Sequence, residues 1–427
     1  MIGNEDLLQF AWQFKILKPL PLISKSGKLI EVIKQGELNR DAGADFFNAK
    51  IRVDGITLAG NIEIHVNSSD WLKHKHQNNK SYDTIILHVV LNADKSIPQN
   101  VNNNVEVLEL KELLPDHFIQ NYERLVGSKT ELPCQNQLKE VEELKALWWI
   151  NRMAIERLES KMGAIEKLFA NFNNDFTQTF YTVLLKNFGF KVNSLPFELL
   201  ASYLPANILL KHTNDLKQIE ALLLGTAGLL DDQFEDKYVR NLQSEYEFLK
   251  SKYKLSTLKK EIFKHSRLRP ANFPSLRLAQ FAQLICKDPK LISEPQSYMS
   301  FESIKKTLQI EPIGYWKDHY KADGKKSAFD LRLGEDSIQN ILINTFSYFF
   351  FFYGKKLNKE HYLDLALEIL EQVKFESNVK TKHYEALNCG GRSGLVSQGL
   401  INLNNNYCSK KDCLNCGIGA SILQTTK

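Results

Sequence analysis

Between Asp45 and His88 the sequence gathers Asp45, a single Glu and four His at spacings that suit a divalent-metal site. They fall in short runs: Gly43-Ala44-Asp45-Phe46, Glu63-Ile64-His65, Asp70-Trp71-Leu72-Lys73-His74-Lys75-His76 and Leu87-His88-Val89-Val90. Carboxylates are hard oxygen ligands for Mg²⁺ or Mn²⁺, whereas neutral imidazole suits Mn²⁺, Fe²⁺ or Zn²⁺. Two carboxylates and a third polar group on one sheet face can hold such an ion with water positions left open. That arrangement acidifies water and offsets the charge of an in-line displacement at phosphorus. The whole chain has ten His, so this concentration of them directs the functional reading.

The elements around these residues set what they can reach. Asn4 is placed to cap a first helix with apolar residues at Leu7, Leu8, Phe10, Ala11 and Phe14. Lys28 to Lys34 alternates as a strand, and Phe47 to Val53 and Leu58 to Val66 read as two more, joined by a turn at Asp54-Gly55. Asp45 then opens one strand of a hairpin and Glu63 sits near the end of the other. His65, two residues after Glu63, points to the same face. Ser68 or Ser69 caps a short helix carrying His74 and His76. At i and i+2 of a helix these two do not share a face, so at most one is expected to join the site. Thr84 to Leu91 reads as a buried strand, in which His88 is either a supporting ligand or a satisfied core histidine. A further strand is expected near Val105 to Leu110. Glu37, Asp41, His74, His76 and His88 are the residues that would complete the shell around Asp45, Glu63 and His65.

This order (helix, three strands, helix, strand), with Asp45 opening the second core strand and Glu63-Ile64-His65 on the third, resembles the core of the PD-(D/E)XK nuclease superfamily. The resemblance implies a restriction-endonuclease-like mixed sheet in which Asp45 and Glu63 hold Mg²⁺ or Mn²⁺. His65 would stand where that family has Lys, and Ala44 where it has Pro. Histidine carries less charge than Lys at neutral pH, so His65 is alternatively a third ligand. A longer resemblance covers nearly the whole chain. Glu37 to Ala49, Gly60 to His65, Ser69 to His76, Leu87 to Val90, Arg269-Pro270-Ala271-Asn272-Phe273-Pro274 and the C-terminal Cys cluster are similar to the signature of an uncharacterised bacterial family, domain of unknown function 2851. That family carries no established activity to transfer.

Of six Cys, Cys134 and Cys286 are isolated, whereas Cys389, Cys408, Cys413 and Cys416 cluster. Four thiolates with a CxxC pair at one end suit a closed zinc site or a [4Fe–4S] cluster, and spacing does not separate the two. Lys410 and Lys411 beside them are expected to lower the thiol pKa values, and the closed site would staple the end of its domain. Lys264, Arg267, Arg269 and Arg277 form the densest basic stretch, which suits either phosphate contacts or solvated helix ends. Trp148-Trp149 reads as packing. Gly390-Gly391-Arg392-Ser393-Gly394 lacks the Lys–Ser/Thr of a nucleotide loop.

A chain of 427 residues exceeds one ordinary core. The pattern divides it into an α/β domain over 1–126, a linker near Gly127 to Gln135, and a mainly α-helical domain over 137–427 with the Cys cluster at its end. A net charge of +5, with 55 basic against 50 acidic residues, is compatible with nucleic acid without requiring it. The acidic start of the sequence and the absence of a long apolar run lead to the expectation of a cytoplasmic protein with no membrane partner; the oligomeric state is left open. The function expected is metal-dependent phosphodiester hydrolysis on a nucleic acid. The alternatives are a non-catalytic nucleic-acid- or protein-binding protein with a degenerate core and a structural four-cysteine metal site, and a hydrolase that uses the His cluster on another substrate.

Overall fold

A computed structural model describes residues 4–76, 79–96, 105–324, 326–384 and 392–425. The first element is α1 (Glu5–Gln13), capped by Asn4, whose side chain accepts from Asp6 N; Leu7, Leu8, Phe10, Ala11 and Trp12 are buried on its apolar face. Strands β1 (Leu22–Ile23), β2 (Leu29–Lys34), β3 (Glu37–Leu38), β4 (Phe46–Val53) and β5 (Ile56–Asn67) follow. After the one-turn helix α2 (Asp70–Lys73) come β6 (Ile85–Asn92), β7 (Glu106–Glu109) and α3 (Asp116–Gly127).

These strands form one seven-stranded mixed sheet in the order β1-β2-β4-β5-β6-β7, with β3 also pairing β4. β4 pairs antiparallel with both β2 and β5, whereas β5, β6 and β7 are mutually parallel. The β4–β5 connection is the expected two-residue turn: Asp54 and Gly55 both have positive φ, 45° and 84°, the signature of a type I′ hairpin. One extra residue lies between the Phe46–Ile62 and Ala49–Gly60 pairs, where Asn48 takes φ 55°. Such a bulge bends the strand just after Asp45. On β5, Ile62 and Ile64 are fully buried on one face while Glu63 and His65 share the other.

The chain divides into two compact units, the first comprising 1–149, 382–390 and 403–427 and the second 150–381 and 391–402. The C-terminal segment with Cys408, Cys413 and Cys416 therefore belongs with the sheet rather than with the helical part. Hydrogen bonds show why: Asn121 of α3 donates to the carbonyls of Ile422 and Thr425, and Lys411 Nζ donates to those of Val126 and Ser128. The long helix α4 (Glu143–Asn171) begins in this unit, with Trp149 buried and Trp148 64% exposed.

The second unit is built from helices, among them Phe176–Phe188, Leu216–Thr226, Lys237–Tyr253, Pro274–Lys287 and Glu360–Gln372. The aromatic run 346–353 is buried, with Phe180 meeting Phe346 and Phe349 edge to face. The helix expected over 338–353 contains a π-helical turn at Leu342–Ser347. Helices Leu216–Thr226 and Lys237–Tyr253 approach closely at Gly225, where a Cβ would lie 2.1 Å from the Tyr246 ring. The Tyr246 hydroxyl is held by Thr257 Oγ1 at 2.8 Å, so the ring cannot swing away freely. Gly225→Ala is expected to destabilise the protein by about 3 kcal/mol, the upper end of ordinary overpacking, read as a lowered denaturation midpoint at unchanged slope. An unchanged midpoint would refute this account of the contact.

Arg277 departs from the expectation of a basic residue offered to phosphates. It is buried, donates to Gln280 Oε1 (2.9 Å), Asn272 Oδ1 (2.6 Å) and Ser337 Oγ (3.0 Å), and lies over the Phe190 ring. A guanidinium spent in this way holds helix Pro274–Lys287 to its neighbours. Lys264, Arg267 and Arg269 are exposed, but the backbone of Lys264 is clamped by Asn193 on both its N–H and its C=O. Among the described residues no helix is long and apolar enough to cross a membrane.

Candidate metal centre

The centre is built where β5 and β6 run side by side. Glu63 pairs in register with His88, and His65 with Val90. In a parallel pair, register neighbours face the same side, so Glu63, His65 and His88 line one surface. His65 Nδ1 lies 2.8 Å from His88 Nε2, and His65 Nε2 lies 3.1 Å from His74 Nδ1.

His74 and His76 arrive by a route that helical spacing does not foresee. The helix α2 ends at Lys73, His74 is its C-cap, and Lys75 takes the left-handed conformation with φ 60°. That turn reverses the chain between the two histidines, so both imidazoles reach the site. The expectation that at most one of them joins is corrected by this backbone. His65, His74 and His76 present nitrogens that all lie within 4.8 Å of one another, close enough to share one ion.

Glu63 faces this trio. Its Oε1 is 3.3 Å from His76 Nε2 and 3.5 Å from His65 Nε2. His76 Nε2 is buried and makes no hydrogen bond, so it faces the carboxyl without being committed to another partner. Glu63 Oε2 accepts from the Asp45 backbone N–H at 3.2 Å. Asp45 in turn accepts from Ile64 N (2.8 Å) through Oδ2 and from Gln9 Nε2 (2.9 Å) through Oδ1. The two carboxylates thus brace each other's strands, and α1 reaches the centre through Gln9.

Burial decides the charge state. It pushes the Glu63 carboxyl well above the usual range, and the neighbouring Asp45 adds to this. Asp45 is raised as well, by burial and then by Glu5 and Asp6 of α1. Desolvation lowers His65 to about 3, with His76 and His74 adding to it, and lowers His76 to about 4 and His88 to about 3. Neutral imidazoles beside a carboxyl that burial keeps protonated could take a cation once the carboxyl gives up its proton. His88 does not touch Glu63 in any hydrogen bond; it serves His65, fixing the ring through Nδ1 as outer partners of ligating histidines do.

Several parts of this centre carry no mark in the sequence. Glu5, raised mainly by burial and lowered by His74, and Gln9 are ordinary polar residues of an amphipathic helix. Tyr82, whose ring stacks on His76 at 3.8 Å and whose hydroxyl donates to Gly43 O, ends the one-turn 3₁₀ helix Lys80–Tyr82. Only knowledge that α1 packs over β5 identifies the first two. Glu37 and Asp41, expected as supporting ligands, are exposed in the segment before β4. Glu37 spends its carboxylate on Lys34 at 2.8 Å, and among the described residues neither contacts the cluster.

Of the expected thiolate site, Cys408, Cys413 and Cys416 are buried and free of disulfides, while Cys389 lies outside the described residues. The expected lowering of their pKa values by Lys410 and Lys411 survives only as a small effect of Lys411 on Cys413 and is outweighed. Burial dominates and pushes Cys408 up to about 11 and Cys413 and Cys416 to about 12. Lys411 turns its ammonium to the carbonyls of Val126 and Ser128 instead.

No curated protein and no solved structure matches the chain. A family model does: it aligns to residues 5–379, which takes in the sheet, the His–carboxylate centre and most of the helical unit. The chain belongs to the family described as protein of unknown function (DUF2851).

Proposed function

We propose that this protein is a divalent-metal-dependent nuclease, with a restriction-endonuclease-like core degenerate in spelling but assembled for chemistry. The observation that carries this reading is the convergence of Glu63, His65, His74 and His76, with the nitrogen of His76 buried and unsatisfied. The layout supports it: a helix, an antiparallel hairpin with Asp45 at its mouth, Glu63-Ile64-His65 on the next strand, and a parallel partner. Glu63 and the three imidazoles would hold the ion, and Asp45 would hold Glu63 in place and present its own carboxylate beside it. When bound, the ion supplies Lewis acidity and an acidified water for attack on a phosphodiester. Three nitrogens favour Mn²⁺, Fe²⁺ or Zn²⁺ over the Mg²⁺ that an all-carboxylate site would select.

That nitrogen-rich set also supports a second reading, a transition-metal hydrolase acting on a substrate other than nucleic acid. The test is metal titration of the purified full chain with Mn²⁺, Zn²⁺ and Mg²⁺, followed by incubation with single- and double-stranded DNA and RNA. The nuclease reading expects Mn²⁺ or Zn²⁺ to bind about equimolar with the chain, cleavage that depends on it, and loss of both in His65→Ala. Metal binding without cleavage of any nucleic acid favours the second reading. No binding at all leaves a non-catalytic binding protein.

A further inference from the structure

Beside the His–carboxylate centre the sheet carries a groove of about 660 Å³, walled by β4, β5 and the chain entering β6. Asn61 and Ala59, which line it, stand two and four residues before Glu63 on β5. Strand alternation sends these side chains to the Glu63 side of the sheet, so the groove continues the surface that carries Glu63 and His65. Asn61 fixes its rim: Oδ1 accepts from the backbone N–H of Asn48 (3.2 Å) and Nδ2 donates to Thr84 Oγ1 (2.8 Å). Asn48, the bulge residue with φ 55°, adds an exposed side chain to the lining.

Charge is concentrated at the far end of this groove. Lys34 of β2 and Lys50 of β4 are register partners, and both are exposed and line it. Like charges directly opposite on paired strands cost stability, whereas opposite charges gain it. Further along the same two strands Arg52 stands opposite Glu31 and the pair closes at 2.6 Å. The sheet thus balances charge at one pair and accumulates it at the other. Glu37 holds Lys34 at 2.8 Å, but Lys50 has no hydrogen bond or ion pair among the described residues. Asp83, the acid of the lining, is itself engaged. A free ammonium on a concave polar surface attracts an anion.

The position of Lys50 selects the anion. Its register partner on β5 is Ala59, about 13 Å from Glu63 along the strand. One small phosphate would meet the centre or Lys50, not both. A chain of repeated charges meets both, since a stacked polynucleotide strand advances about 3.4 Å per phosphate. Lys264, Arg267 and Arg269, the basic stretch prominent in the sequence, belong to the other unit. We propose that this groove is the track of a polynucleotide strand, in which Lys50 and Asn48 hold a backbone phosphate a few nucleotides from the one at the His–carboxylate centre. This rests on the nuclease reading and adds to it the path of the strand.

The test is fluorescence anisotropy of a labelled single-stranded oligonucleotide of about twelve nucleotides on the full chain. It is run over a salt series without divalent metal, so that nothing is cut. Lys50→Ala is expected to lower the slope of log affinity against log salt by about 0.7, the loss of one phosphate contact on a single strand. Lys50→Glu is expected to weaken binding about tenfold at about 0.1 M salt, and Lys50→Arg to keep the wild-type slope. Arg52→Ala removes an equal charge already paired with Glu31 and should keep that slope too. Melting temperatures of the variants control for folding. No binding, a slope unchanged in Lys50→Ala, or an equal loss in Arg52→Ala overturns the track. Incubating the wild type with the same oligonucleotide and Mn²⁺ tests the chemistry separately: binding that depends on Lys50 without cleavage sinks the nuclease reading and keeps the track.

Discussion

Under the proposed nuclease reading, Glu63→Gln is expected to lower metal-dependent cleavage by about three orders of magnitude, because a divalent ion supplies several kcal/mol of transition-state stabilisation. The amide is nearly the shape of the carboxyl, so the contacts to Asp45 N, His65 and His76 can persist. What is lost is the negative charge that three neutral imidazoles cannot provide. Folding should be little affected, since burial already holds this group in its uncharged form. Melting temperature in the absence of metal is therefore the control: a variant that melts like the wild type but has lost metal and activity locates the defect at the centre. Retention of full activity would remove Glu63 from the chemistry.

The second large effect is a dependence of metal affinity on pH. The carboxyl of Glu63 is raised by burial, so near neutrality it must shed a proton before it can ligate. His65 and His76, held down to about 3 and 4, are already neutral above about pH 6 and release nothing. Affinity should thus rise about tenfold per pH unit from about pH 6 to 8, one proton being displaced per ion. Calorimetry in buffers of different ionisation enthalpy measures that proton directly. The same shifts fix the stability of the metal-free protein. For Glu63, whose folded pKa is raised, the stabilising contribution is complete below the ordinary carboxylate value and is lost as pH rises through the folded value. For His65, His76 and His88, whose folded values are depressed, the contribution is present above about 6.5 and is lost as pH falls. Added metal should consequently raise the melting temperature more at about pH 8 than at about pH 6. An affinity that does not change over this range would mean that Glu63 is not a ligand.

Much of the sheet is legible in the sequence because period-two alternation and a turn dipeptide are local signals. Asp54-Gly55 makes the hairpin it spells, and Glu63 and His65 share a face because strand geometry leaves them no other choice. The mixed sheet followed by helices is likewise readable from the change of period near residue 137. The centre is legible only in part. By pattern His74 and His76 belong to one helix, but that helix lasts a single turn, and the left-handed Lys75 that unites them is an energetic exception for a residue with a Cβ. Arg277 reads as a charge for solvent because sequence does not show which partners will desolvate it. Asn121 gives no sign in the sequence that it will reach the carbonyls of Ile422 and Thr425 at the other end of the unit. Long-range closure of this kind has no periodic signature at all.

The discontinuity of the first unit bears on how the protein is made. Its strands are synthesised before the helical unit, but residues 403–427, which belong to the same unit as the strands, follow that helical unit. Domains generally fold in the order they emerge from the ribosome. Here the helical unit, 150–381 and 391–402, has nearly all of its residues available before the sheet unit has its own. Bringing together ends so far apart costs loop entropy that local helix contacts do not incur. The order of synthesis and the order of completion therefore run in opposite directions, and the half that carries the His–carboxylate centre is completed only after the helical unit has been made.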